Sequence, residues 1–108
     1  MNINKIDPAG FRHRITFQKE TKTPDGVKGF TVAWNDFAVA WASIAPLVGR
    51  EYFYAHQITA EVTHRIRMRY RKDINSKMRI TLGDRVFSIE SIIDMEERHI
   101  YLELLCKE

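Results

Sequence analysis

Hydrophobic and polar positions alternate along much of this chain, most cleanly over residues 61–71. Val62, His64, Ile66, Met68 and Tyr70 share one parity, and Thr63, Arg65, Arg67, Arg69 and Arg71 share the other. Successive side chains of a strand face opposite sides of the sheet. A period of two therefore predicts one strand with a mostly apolar face and an arginine face. At about 3.3 Å per residue it would run roughly 35 Å. Helix is the poorer reading, because spacings of three and four do not gather these apolar residues on one side.

The same pattern recurs on both sides of that stretch. Residues 12–20 predict a strand with His13, Ile15 and Phe17 toward a core and Arg14, Thr16 and Gln18 outward. Pro24, Asp25 and Gly26 supply turn chemistry, since proline presets its own φ and glycine accepts a positive one. Residues 30–34 return as a strand with Phe30, Val32 and Trp34 on one face, interrupted at Asn35 and Asp36 by a bulge or tight turn. Over residues 37–44, Phe37, Val39 and Trp41 alternate with alanines. That suits a strand buried on both sides, or one curving around a small barrel. Residues 78–82 and 86–93 form a hairpin across Gly83 and Asp84. A charged turn over 94–98 leads to a closing strand over 100–105, with Ile100, Leu102 and Leu104 inward.

Residues 47–60 break the rhythm. Arg50, Glu51, Ala55 and Gln57 favour helix, which predicts two to three turns inserted before the central strand. Residues 1–10, ending in Asp7-Pro8-Ala9-Gly10, read as a loosely held arm. The fold expected is all-β: a small antiparallel β-barrel or sandwich of six to seven strands with one short helix.

Length and composition narrow this further. A chain of 108 residues favours a single domain spanning 1–108. Hydrophobic and charged fractions of 44% and 29% are those of a soluble globular protein. The net charge of +3 is too mild to carry a nucleic-acid assignment alone. It gains interest because Arg65, Arg67, Arg69, Arg71 and Lys72 crowd together. The single cysteine, Cys106, excludes an internal disulfide framework and fits a reducing compartment. Neither a signal-peptide run nor the about 20 apolar residues of a spanning helix is present. The expectation is a protein made in the cytosol, or assembled into something there, with no membrane partner.

Candidate chemistry is sparse. His13, His56, His64 and His99 lack the spacing of a local metal site. His64 falls on the apolar parity and reads as a hydrogen-bonded, partly buried histidine. Cys106 reads as a small core or edge residue, with no activating base in view. Glu96 and Glu97 fit a solvated turn. Gly26 and Gly29 lie in a hairpin rather than a phosphate loop. No catalytic, metal or cofactor residue is expected.

Two patches invite a role. The arginine row can be a solvated or ion-paired face, with Glu90 and Glu103 as cross-strand partners, a subunit interface, or a nucleic-acid contact. Tyr52, Phe53 and Tyr54 are adjacent, about 100° apart on a helix, so one must point away from any core. They cap a barrel end or face another subunit.

Several segments in order resemble one family: residues 11–19 (Phe-Arg-His-Arg-Ile-Thr-Phe-Gln-Lys), Trp41-Ala-Ser-Ile-Ala-Pro-Leu, Gly49-Arg-Glu-Tyr-Phe, residues 61–71, Met78-Arg79, Phe87-Ser-Ile-Glu-Ser-Ile, and Leu102-Glu-Leu-Leu-Cys. Together they are similar to the head–tail joining proteins of tailed phages, also called head-completion or stopper proteins. The resemblance implies a non-enzymatic β-barrel of a phage or prophage, located at the virion's head–tail interface after assembly in the bacterial cytoplasm. It implies a homo-oligomeric ring beneath the portal and its adaptor ring protein, which closes the DNA channel and docks a tail-completion or tail-tube protein. Non-specific contact with genomic double-stranded DNA is part of that expectation. By the same resemblance the segment carrying Arg50, Tyr52, Phe53, Tyr54, His56 and Gln57 lines the channel or a subunit contact, and the basic face that alternation gives to Arg65, Arg67, Arg69 and Arg71 would repeat around the ring as a charged belt. A small-barrel nucleic-acid-binding module is the alternative.

Overall fold

The computed structural model describes residues 8–24, 26, 27, 29–47 and 62–108. The expected helix over residues 47–60 and most of the N-terminal arm lie outside the described residues. After a 3-10 turn at Pro8–Gly10 come six strands. These are β1 (His13–Pro24), β2 (Phe30–Pro46), β3 (His64–Arg69), β4 (Arg79–Leu82), β5 (Arg85–Asp94) and β6 (Tyr101–Lys107), with a second 3-10 turn at Met95–Glu97 before β6.

The strands close into an antiparallel barrel in the order β1-β2-β3-β6-β5-β4, with β4 returning to β1. The barrel interior is built from one parity of each strand. Ile15 and Phe17, Ala42, Ile66 and Met68, Ile80, Phe87 and Ile89, and Leu102, Leu104 and Cys106 pack together, joined by Ile74 and Met78 from the loop before β4. Alternation of apolar and polar residues decides which face turns in, and closure leaves the wall with no open seam. Gly83, at φ +59°, makes the tight β4–β5 turn where a side chain would be strained.

Several expectations need correction. The central strand is shorter than residues 61–71 suggest, because its partner β6 offers only a short wall. Beyond the β3 ladder pairing continues by single bonds, Thr63 N–H to the Cys106 carbonyl (2.8 Å) and Tyr70 N–H to the Ile100 carbonyl (2.9 Å). The two segments around Asn35 and Asp36 are one continuous strand, and the interruption is a bulge. Phe17 pairs with Ala38 while Gln18 pairs with Asp36, leaving Phe37 as the extra residue. In β2 the alanines, not the large residues, meet the interior. Ala38, Ala40 and Ala42 pack on the core, whereas Phe37, Val39 and Trp41 are exposed. A narrow barrel already filled by Phe17 and Phe87 has room for small side chains on its longest strand. His13 and Ile100 are also exposed rather than inward, since each lies at a strand end where the barrel no longer covers it.

The described chain leaves the wall at Leu47 and re-enters at Val62. These two residues meet in a small cluster with Leu105, backed by Ile93. The Leu47 N–H donates to the Thr63 carbonyl at 3.0 Å.

Candidate assembly surfaces

The arginine face is the outer surface of β3, flanked by β2 and β6. The register sets Arg67 between Ser43 and Glu103, and Arg65 between Ala45 and Leu105. Glu103 is only 3% exposed, an unusual place for a carboxylate. Arg67 accounts for it: its Nε donates to Glu103 Oε1 at 3.2 Å. Arg71 is held from both ends of its fork, with Nε and Nη2 donating to the two Asp73 oxygens at 3.0 and 2.8 Å. That bond holds the Asp73 carboxyl below its usual range. Its Nη1 reaches the Val39 carbonyl at 3.4 Å. Arg69 is exposed. Of the two acidic partners expected for this row, Glu103 serves, while Glu90 sits exposed at the β5 bulge.

A second polar cluster closes the end of β6. Arg85 Nε and Nη2 donate to the two Glu108 oxygens at 2.6 and 3.0 Å, which lowers the Glu108 carboxyl. His64 lies beside them, 3.6 Å from Glu108 Oε1 and 2.9 Å from Thr63 Oγ1, with its ring edge-on to Phe87. It is the hydrogen-bonded, partly buried histidine that its parity suggests. Burial pushes the Cys106 thiol up to about 12, so it stays protonated.

Backbone strain concentrates in the β5–β6 connection. Glu96, Glu97 and His99 have φ of +55°, +52° and +56°. Such conformations cost about 1–2 kcal/mol each. They persist because Met95 is buried and Asp94 ties the far end of the connection, its Oδ1 accepting the His99 N–H at 3.0 Å and its carboxylate meeting the His99 ring. The Tyr70 ring lies tilted against that ring, 4.8 Å between centres.

Among the described residues, the distal half of the β1–β2 hairpin is exposed on both strands. Only residues 16–18 of β1 pair with β4, and only residues 42–46 of β2 pair with β3. Beyond them a two-stranded ribbon projects from Gln18 and Asp36 to the Pro24–Phe30 pair, about 20 Å at the usual rise per residue. Its root is braced. Gln18 Nε2 donates to Asp36 Oδ1 at 2.9 Å, Arg79 Nε donates to Gln18 Oε1 at 2.7 Å, and the Arg79 guanidinium lies 4.4 Å from the Trp34 ring centre. Sequence reasoning treated Phe30, Val32 and Trp34 as an ordinary strand face and missed the ribbon. The signal was the length of both strands beyond the bulge, where no third strand among the described residues pairs with them.

Comparison with known proteins decides what kind of barrel this is. The family model for phage head completion proteins matches residues 6–108. The chain belongs to the phage head completion protein family. These are virion structural proteins, which is the family that the sequence resembles. Among individual relatives, head completion protein gp16 of Bacillus phage SPP1 is 33% identical over 66 residues, and the match covers 61% of this chain and 61% of that protein. The solution structure of a Shigella flexneri 2a protein superposes with a TM-score of 0.73 at 34% identity, covering 100% of this chain and 96% of the other. A chain in the virion of a native gene transfer agent particle has the same fold, with a TM-score of 0.61 at 16% identity over 88% of this chain and 91% of its own.

The structure brings Arg65, Arg67, Arg69 and Arg71 onto the outer barrel surface. Arg50, Tyr52, Phe53, Tyr54, His56 and Gln57 lie outside the described residues.

Proposed function

We propose that this head completion protein acts as one domain of 108 residues in a homo-oligomeric ring at the head–tail interface. The ring sits beneath the portal and its adaptor ring protein, closes the DNA exit channel after packaging, and docks a tail-completion or tail-tube protein. Membership of the family, matched over residues 6–108, carries this reading. The structure supplies what a ring subunit needs: a closed barrel as a rigid body, with a projecting ribbon and a broad arginine face as two different contact surfaces. Heterologous contacts of that kind close rings, and repetition strengthens contacts that are weak singly.

The segment with Arg50, Tyr52, Phe53, Tyr54, His56 and Gln57 faces the channel or the adjacent subunit in this reading. Its two ends are fixed on the barrel at Leu47 and Val62. Arg69 is the arginine best placed for non-specific contact with genomic DNA. The rival reading, a free-standing nucleic-acid module, is weakened because Arg67 and Arg71 are spent on Glu103 and Asp73.

Completion in vitro tests the proposal. DNA-filled heads assembled without this protein should lose their DNA to nuclease, and purified protein should protect it. Tyr52→Ala with Phe53→Ala should unfold cooperatively yet fail to protect. Heads that hold their DNA equally well without the protein overturn it. So does a monomer that binds short DNA below micromolar Kd with a steep salt dependence.

A further inference from the structure

We infer that the β1–β2 ribbon is the edge along which copies of this chain join, with β2 of one copy pairing antiparallel to β1 of the next. The inference rests on the ring reading above and names its interface.

The longest edge without a strand partner among the described residues is residues 30–41 of β2, which Arg71 Nη1 touches at the Val39 carbonyl, and residues 19–24 of β1 are the matching edge across the ribbon. Open edges recruit further strands, and proteins that stay single blunt them with charges, proline or a covering element. Residues 30–41 carry no proline and one charge, Asp36. Instead they present large apolar side chains: Phe30 is 65% exposed and Trp41 58%, with Val32, Phe37 and Val39 exposed between them. An edge so undefended is suited to being covered.

Charge indicates what covers it. Residues 19–24 hold Lys19 and Lys22 against a single Glu20, whereas Asp36 is the lone charge on the β2 edge. Pairing β2 with β2, or β1 with β1, sets like charges together. Pairing β2 with the β1 of a second copy sets opposite charges together, and such complementarity selects register and partner. The geometry agrees, because β1 and β2 are antiparallel within the ribbon. Copies related by rotation about an axis along the ribbon therefore place each β2 antiparallel to the neighbouring β1. That contact is heterologous and repeats around a ring. Cross-strand register puts Thr21 with Ala33 and Thr23 with Thr31 on one face of the ribbon, and Glu20 with Trp34, Lys22 with Val32 and Pro24 with Phe30 on the other. Joined ribbons form a band with one face of small side chains and one rich in aromatic and aliphatic ones.

A charge exchange tests this in the same completion assay. Asp36→Lys makes the β2 edge positive against a positive β1 edge. Lys19→Glu with Lys22→Glu makes the β1 edge negative against Asp36. Each variant alone should lower nuclease protection about tenfold or more, because a small penalty recurs at every contact. An equal mixture should restore it, since alternating copies are then complementary at every contact. Circular dichroism and thermal unfolding identify any variant that fails to fold, and Asp36→Asn then replaces Asp36→Lys for the comparison with wild type.

Both variants failing with no rescue on mixing would mean that the ribbon binds some other protein, and would overturn the inference. Variants that protect as wild type does would also overturn it, while failure of the Tyr52 and Phe53 variant in parallel would leave the ring reading standing. Heads that need no protein at all would sink the ring reading itself.

Discussion

The pairing of Arg67 with Glu103 permits a quantitative test of what holds the outer wall. Glu103 is 3% exposed, and the Arg67 side chain 19%. Replacing Arg67 by methionine keeps the aliphatic stem and removes the cation, so a buried carboxylate loses a charged partner. For fully buried pairs such a loss costs about 3–5 kcal/mol. Arg67 is one-fifth open to water, which can take over part of the solvation, so about 2–3 kcal/mol is expected here. For a chain of this length that is roughly 8–12 °C in Tm. Arg67→Met with Glu103→Leu removes both charges and should return to within about 1 kcal/mol of wild type, giving a coupling energy near 2 kcal/mol. Urea unfolding followed by circular dichroism measures all four proteins. The reasoning fails if Arg67→Met alone stays within about 0.5 kcal/mol of wild type, or if the double variant equals the sum of the single ones.

Two pH-dependent predictions accompany it. Burial raises the Cys106 thiol from 9.0 to about 12, so the fold favours the neutral form; its contribution is intact below pH 9 and is lost as pH rises toward 12. Over that range wild type should lose on the order of 4 kcal/mol more than Cys106→Ala, measured by denaturant unfolding at each pH. Native protein should also resist a thiol reagent at pH 8 that labels the unfolded chain at once. The Asp73 and Glu108 carboxyls lie below their ordinary range in the folded protein, so their contributions are present at neutral pH and are lost as pH falls through the depressed values. Asp73→Asn with Glu108→Gln should flatten the acid limb of the stability profile, as thermal melts between pH 6 and about 2 would show.

Where one face of a strand is buried, its period of two was enough to read the fold. Ile15 and Phe17, Ile66 and Met68, and Leu102 and Leu104 all sit where alternation puts them. The all-β class and the Gly83 turn were equally legible. Alternation does not say which face of a strand is the inner one when both are apolar. In β2 a strand buried on both sides and one curving around a small barrel were both open, and the barrel takes Ala38, Ala40, Ala42 and Ile44 inside while Phe37, Val39 and Trp41 stay exposed. Strand length was misjudged for a related reason, because a strand ends where its partner ends. The buried Glu103 was foreseen as an arginine partner, but its burial depends on what surrounds β6 and has no local signature. The left-handed turn at Glu96, Glu97 and His99 was hidden because none of these residues is glycine. Family membership was readable from ordered short segments rather than from any single motif.

β2 is a wall stave and an outrigger in one unbroken piece of seventeen residues. Tension applied at its tip therefore travels along covalent backbone into the barrel. It arrives at right angles to the hydrogen-bonded rungs shared with Met68, Arg67, Ile66, Arg65 and His64. Loaded in shear, those rungs resist together instead of unzipping one after another. The kink at Phe37 is the place where such a rod can bend before the body does.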